Sequence, residues 1–370
     1  MSRPAPLQLR SSIMLFKGNG LEAQKRKETG MDYCGIDLHQ SKSEICIIDE
    51  NGDLILQATI PTTRKSLEAF FSGRKAMRVI MEAGGSSPWV SRVIEEVGQE
   101  VFVCHPRKIR LIAESTIKND RVDAEILARL ARIDIEFLGR VTHRSEEAQL
   151  LRSNLTARTA LVKARAKWIN TVRGILRAFG FKVGQGRAGT FHRRCAKLDI
   201  PDALRETIQP LLKQIESVTE EIEGLEERLE RIAETMPEVD HLRQIPGVGL
   251  LVALYFVLTI DDPDRFRQSR DVAGFFGLRP SVRESADMKH YGRITKQGDP
   301  EMRRLLVQAA HVMLLSKKPC HLQSWARKVA ERRGKGKAVV ALARKLAVLM
   351  HHLWVTGEVF RPFPENAKAA

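Results

Sequence analysis

Asp120 and Asp123 stand three residues apart in KNDRVDAEILARLARI (118–133), at the start of a helical pattern whose apolar members are Val122, Ile126, Leu127 and Leu130. Residues at that spacing share a helix face, so both carboxylates fall in line with Leu127 and Leu130, on the side that points inward. Unpaired charge is costly to bury, and a metal ion at the edge of a core is one way to compensate it. Asp120 as a helix cap with Asp123 in the first turn is the simpler alternative. Two further acids favour the metal. Asp37 closes the first strand pattern in GIDLHQ, and Glu82 closes the fourth in VIMEAGGSS. Neighbouring strands would deliver both to one end of a sheet, where Asp120 and Asp123 complete a cluster of four. Four carboxylates with no basic partner repel one another, and hard oxygen donors of this kind suit Mg²⁺ or Mn²⁺. A pair of such ions can assist the attacking and leaving oxygens of a phosphodiester, so the chemistry implied is phosphoryl transfer on nucleic acid. Singly, Asp37 reads equally as a strand-end turn residue with His39 on the surface, and Glu82 as the start of the Gly84-Gly85 loop.

The elements that must position these acids are visible in the pattern. From Met31, YCGIDL, EICIIDE, the Asn51-Gly52 turn and LILQATIP predict a three-stranded antiparallel meander. The period then changes. A helix near 65–71, the strand RVIMEA, a helix near 88–97, the strand EVFVCH, a short helix from Pro106 and the Asp120 helix follow in turn. A meander followed by βαβα units predicts an α/β domain with a mixed sheet over 31–145. Residues 1–30, polar and marked by Gly and Pro, read as a flexible extension.

Composition narrows the partners. The chain of 370 residues carries 61 Lys and Arg against 45 Asp and Glu, a net charge of +16, which points to an anionic partner and first to nucleic acid. Its five cysteines lack any CxxC pair, which argues against a disulfide framework or a structural zinc site and suits a reducing cytoplasm. There is no signal-peptide pattern, and no apolar run approaches the length of a membrane span, so no membrane partner is expected.

Residues 146–200 form a basic helical segment with no Asp or Glu from Ala148 to Leu198. Arg158, Lys163, Arg165, Lys167 and Arg173 surround Trp168, which suggests phosphate contacts with base stacking on the indole. A solvated basic face with Trp168 used for packing is the alternative. Residues 201–237 reverse the charge and repeat apolar residues every three or four positions, as in a coiled coil or helical hairpin, acting either as a dimerisation arm or as packing within one protomer. In 238–360, IPGVGLLVA places Gly247 and Gly249 before an apolar helix, as in a helix-hairpin-helix turn whose amide groups meet a DNA phosphate. A turn needed only for packing accounts for them equally well. A polar loop with Ser281, Arg283 and Ser285 follows, then a basic turn from Gly292 to Asp299 and a helix with Arg303.

In this order GIDLHQSKSEICIID, MEAGGSS, HPRKIR, KNDRVDAEILARL, IPGVGLLVA and FFGLRPSVRES with GRITKQGDPEMRRLL closely resemble the DEDD transposases of a family of bacterial insertion sequences, from about residue 31 to 355. The resemblance implies a RuvC-like, ribonuclease H-like amino-terminal domain and a mainly α carboxyl-terminal transposase domain, in a bacterial cytoplasm. It implies that Asp37, Glu82, Asp120 and Asp123 are the metal-binding tetrad. It also implies a nucleophilic serine that joins covalently to DNA, by position Ser285. Ala286 stands where the family commonly has glycine, so Ser281 competes for that role. Arg283, Lys289 and Arg293 would hold the scissile phosphate. The family further implies an element-encoded noncoding RNA that selects donor and target DNA by base pairing, and a homo-oligomer, dimer or tetramer. Two other functions fit the residues alone: a metal-dependent Holliday-junction nuclease that uses water, and a catalytically silent nucleic-acid-binding protein.

Overall fold

The computed structural model describes residues 30–112, 119–132, 135–285 and 288–363. Apart from Gly30, the extension read at 1–30 lies outside the described residues. The chain divides into two compact units, Met1–His143 and Arg144–Ala370.

The first unit holds strands β1 (Asp32–Leu38), β2 (Lys42–Ile48), β3 (Leu54–Pro61), β4 (Met77–Glu82) and β5 (Glu100–Cys104). Its helices are α1 (Arg64–Phe71), α2 (Ser87–Glu96), α3 (Pro106–Ile112), α4 (Asp120–Leu130) and α5 (Ile135–Leu138). The sheet order is β3-β2-β1-β4-β5. β1 pairs antiparallel with β2 and β2 with β3, while β1–β4 and β4–β5 are parallel. This is the mixed sheet of a ribonuclease H-like fold.

Alternation divides the sheet into two faces. Cys34, Ile36, Ile45, Ile47, Val79 and Met81 join the core that includes Leu67 and Phe71 of α1 and Val90, Val93 and Ile94 of α2. On the opposite face, Cys46 and Ile48 pack with Ala124 and Ala128 of α4, and Ile80 and Cys104 pack with Leu127 and Leu130. Gly35, at the centre of this face, lets α4 approach the sheet. A Cβ there would meet Ala124 O at 2.1 Å and Ala128 N at 2.3 Å. Both atoms are backbone, so no rotamer change relieves the contact. Gly35→Ala should therefore destabilise the unit by about 1–3 kcal/mol, read from the midpoint of urea unfolding. Gly84→Ala, with nothing within 4 Å of the added methyl, should leave the midpoint within about 0.5 kcal/mol of the parent.

The second unit is mainly helical, with α6 (Glu146–Ala178), α7 (Phe191–Ala196), α8 (Asp202–Glu234), α9 (Pro237–Arg243), α10 (Leu250–Ile260), α11 (Ser269–Phe275), α12 (Pro300–Leu315), α13 (His321–Arg333) and α14 (Lys335–Thr356). A hairpin, β6 (Pro280–Ser285) and β7 (Met288–Ile294), interrupts them. Ser145 caps α6 by accepting from Ala148 N, with Glu146 and Glu147 in its first turn. α8 lies antiparallel on α6 of the same chain. Ile169, Val172 and Leu176 meet Ile208, Leu212 and Ile215, and Arg158 reaches Glu226 across the pair. The apolar stripe read as a coiled coil is thus covered inside one protomer.

α10 is buried from Val252 to Ile260 at the centre of the largest core. Asp299 caps α12 by accepting from Glu301 N and Met302 N, and it also pairs with Arg152 of α6, whose guanidinium reaches the Tyr255 hydroxyl at 2.5 Å. α14 corrects one expectation. Among the described residues it is the one helix long and apolar enough to cross a membrane by length and composition. Ala343, Leu346, Ala347 and Met350 are buried in this same core, so here it serves as a core helix.

Candidate active site

The face that receives α4 also receives the acids. The last β1–β4 pair is Ile36–Met81, so Asp37 and Glu82 are the next residues on adjacent parallel strands. Alternation from Gly35 and Ile80 turns both toward α4. Asn119, not Asp120, caps α4: its side chain accepts from Arg121 N at 3.1 Å. This overturns the reading of Asp120 as the cap and leaves its carboxylate to other partners. Asp120 and Asp123 both lie in the first turn.

The tightest part of the cluster includes a residue that the sequence left on the surface. His39 Nε2 lies 3.1 Å from Asp37 Oδ2 and 3.3 Å from Asp120 Oδ2. Asp37, His39 and Asp120 each offer a ligand atom, all within 4.8 Å of one another, a spacing that a divalent cation with ligands at about 2.0–2.2 Å can span. Burial holds the Asp37 carboxyl above the usual carboxylate range; His39 opposes this, while Asp123 and Asp120 reinforce it by charge. Asp123 therefore acts on Asp37 electrostatically. Glu82 is exposed at the strand end and pairs in register with Cys104, whose thiol is pushed up to about 11 by burial and by the Glu82 charge.

A fifth acid faces this side of the sheet. Glu44 is opposite Asp37 in the β1–β2 ladder, but its carboxylate is taken up by Thr59 Oγ1 at 2.7 Å and Lys42 Nζ at 3.5 Å. Its place in the register, once β2 is aligned, is the signal that could have found it.

The donor set fits a hard divalent ion: neighbouring carboxylates, one of them, Asp37, carrying a pKa raised first by burial and then by the charges of Asp123 and Asp120. A raised pKa means that ionising Asp37 costs the folded state. In metal-free protein the stability linked to this group is full below the unfolded carboxyl pKa and is lost as pH rises through the folded one. Metal binding requires the ionised form. Mg²⁺ should therefore raise the thermal midpoint more at pH 8 than at pH 5, and a shift independent of pH would remove Asp37 from the site.

Comparison with known proteins agrees with this fold. Residues 34–180 match the family model for DEDD transposases of the IS110 type, described as Transposase, and residues 239–326 match the one described as Transposase IS116/IS110/IS902 family. The chain belongs to the IS110 family of DEDD transposases. It is 28% identical to the transposase for insertion sequence element IS1111A of Coxiella burnetii, over 94% of this chain and 95% of that protein. It is also 28% identical to the transposase for insertion sequence element IS1328 of Yersinia enterocolitica, over 88% and 97% of the two chains. A probable family 20 transposase of Pseudomonas aeruginosa is 26% identical over 89% and 98%. An IS110-family transposase is a DNA-binding, DNA-cleaving and strand-transferring enzyme, and its DEDD domain implies a divalent metal.

In the second unit of the transposase, the residues assigned to nucleic acid divide into engaged and outward groups. Arg158 is tied to Glu226, and Arg165 Nη1 donates to Thr219 Oγ1 at 3.3 Å, with burial lowering its pKa. Trp168 is half-buried against the α6–α8 core. Lys163 and Lys167 are exposed, and the Arg173 guanidinium lies 5.3 Å from the Phe191 ring centroid. Gly247, at φ 88°, lies against α12, where a Cβ would meet Ala309 O at 2.5 Å, so packing accounts for this glycine. Gly249 is exposed at the start of α10. Arg303 Nη1 donates to the carbonyls of Phe276, Gln297 and Gly298, which makes it a brace for the turn before α12 rather than a free phosphate ligand.

The polar loop expected around Ser281 is instead the β6–β7 hairpin. Ser285 pairs with Met288 at its tip, Arg283 with His290, and Lys289 with Glu284. The side chains of Ser285, Arg283 and Lys289, and all of Ala286, lie outside the described residues. Ser281 sits at the base in a register shift, with its Oγ so placed that a Cβ on Gly292 would lie 2.4 Å away. Arg293 is exposed near the end of β7.

Proposed function

We propose that this transposase excises and inserts its element through a seryl–DNA intermediate, with Ser285 as the attacking residue and Asp37, Glu82, Asp120 and Asp123 as ligands for Mg²⁺ or Mn²⁺. The observation that carries the metal part is the approach of Asp37 from β1 and Asp120 from α4 to the same His39, with Glu82 following the last β1–β4 pair on the strand beside Asp37. Hairpin geometry supports the serine part, because Ser285 is at the free end of β6 while Ser281 is at its base.

The proposed step balances without an external energy source. A bond forms between Ser285 Oγ and phosphorus as the bond from phosphorus to one deoxyribose oxygen breaks. The serine proton passes to a carboxylate and from there to the departing deoxyribose oxygen, which leaves as a hydroxyl. Attack by another strand's hydroxyl on the seryl phosphodiester reverses the exchange and frees Ser285. A serine hydroxyl is a weak nucleophile at its own pKa. Bound divalent ions would lower the charge cost of both attack and departure. The reading therefore requires the carboxylates and Ser285, from one protomer or from two, to meet at the same phosphate, which is why a homo-oligomer is proposed with it. Arg283, Lys289 and Arg293, on the same hairpin, would neutralise that phosphate.

Site choice is assigned to an element-encoded RNA that pairs with donor and target. The net charge of +16 and the exposed Lys163 and Lys167 on α6 support a nucleic-acid-rich assembly. The test is denaturing electrophoresis of the protein with labelled element-junction DNA, Mg²⁺ and that RNA. A band of protein covalently attached to DNA is expected; cleavage without one would overturn the serine chemistry, and cleavage without RNA would overturn the guide.

A further inference from the structure

β7, α13 and α14 enclose a groove of about 1070 Å³ in the second unit. This is at or above the upper end of small-molecule sites, which run to about 1,000 Å³. Its lining is divided by chemistry. Ile294, Leu322, Val340 and Leu349 provide an apolar floor. Arg293, Lys296, Arg333, Lys337, Arg344 and Lys345 provide cations, and no Asp or Glu is among the described lining residues. Among the described residues none of these six is paired with a carboxylate; the one ion pair at the margin joins His352 to Glu358. Trp325 lies half-buried in the wall with Lys345 Nζ 4.6 Å from its ring centroid, and Tyr291 of β7 is 61% exposed.

We propose that this groove binds a run of unpaired DNA nucleotides next to the cleavage point. Cations alone would suit any polyanion. Cations around an apolar floor with two aromatic rings suit a polyanion that also offers flat apolar faces, which is a nucleic-acid strand whose bases are out of the duplex. Duplex DNA keeps its bases stacked inside and would use only the rim. The choice of DNA rests on the proposed serine chemistry: β7, which lines the groove, is the strand paired with β6, which ends in Ser285. A strand joined to Ser285 would thus have its neighbouring nucleotides close to this wall.

The experiment uses the full-length protein and fluorescence anisotropy with labelled oligothymidylate, a duplex, oligouridylate and polyglutamate. Trp325→Ala should weaken oligothymidylate binding by about five- to hundredfold, with duplex binding changed less than about twofold. The pair Lys337→Ala and Arg344→Ala should reduce the slope of log affinity against log salt for oligothymidylate by about 1.4. Equal losses for duplex and single strand, or tighter binding of oligouridylate or polyglutamate than of oligothymidylate, would overturn the proposal. If Trp325→Ala does not fold, Tyr291→Ala and the Lys337/Arg344 pair decide the question, both lying on exposed or half-exposed surface. The outcomes separate from those of the serine reading. A seryl–DNA band from a protein whose oligothymidylate binding ignores these substitutions sinks the groove alone; groove binding without a band sinks the serine alone.

Discussion

Asp37→Asn should reduce DNA strand cleavage on the order of 10³-fold or more while DNA affinity stays within a few-fold. The amide keeps the shape of the side chain and removes the anionic oxygen that a hard divalent ion requires. Asp37 is on the central strand, where Gly35 and Ile36 fix the backbone, so the substitution should not disturb the sheet. Glu82→Gln and Asp123→Asn should behave alike. Glu44→Gln is the discriminating control, because Glu44 faces the same side, directly opposite Asp37, yet its carboxylate is held by Thr59 and Lys42. It should retain cleavage within about tenfold of the parent. Gel-shift and cleavage assays on one labelled element-junction DNA measure both properties. Retained cleavage in Asp37→Asn would dismiss the carboxylate site.

Ser285→Ala should abolish the covalent protein–DNA band and strand exchange altogether, since no other atom of residue 285 can form the phosphoester. Ser281→Ala should keep the band, because that hydroxyl lies against Gly292 at the hairpin base. The reverse pattern would move the nucleophile to Ser281. Cleavage that persists in both variants without any band would mean that the carboxylates activate water, the nuclease chemistry that the acids alone also allow.

The parts of this transposase that were legible in its sequence are those governed by short-range periodicity. Period-two runs and the Asn51-Gly52 turn marked the meander, and the shift to helical spacing marked the mixed sheet that the structure contains. The β6–β7 hairpin was not legible. Val282, Met288 and Tyr291 are 46%, 74% and 61% exposed, so these apolar positions mark no buried face and leave no alternation to read. His39 and Glu44 escaped for a different reason. Their roles depend on which strand lies beside which, and a single polar residue in a turn or a strand does not carry that information. The partners of Arg158 and Arg165 could not be read from the charge run, which records composition only; Glu226 and Thr219 come from a helix more than fifty residues later.

The contact of α4 with Gly35 has a bearing on when the enzyme becomes active during synthesis. The carboxylates of α4 are joined to β1 only by closing a loop of about 90 residues, a slow, non-local event compared with forming the β1–β2–β3 meander. A growing chain that has completed its first three strands holds Asp37 but lacks the acids that complete the cluster. With the proposed carboxylate site, cutting competence would arrive after the sheet is in place, which separates the birth of the fold from the birth of a DNA-damaging activity.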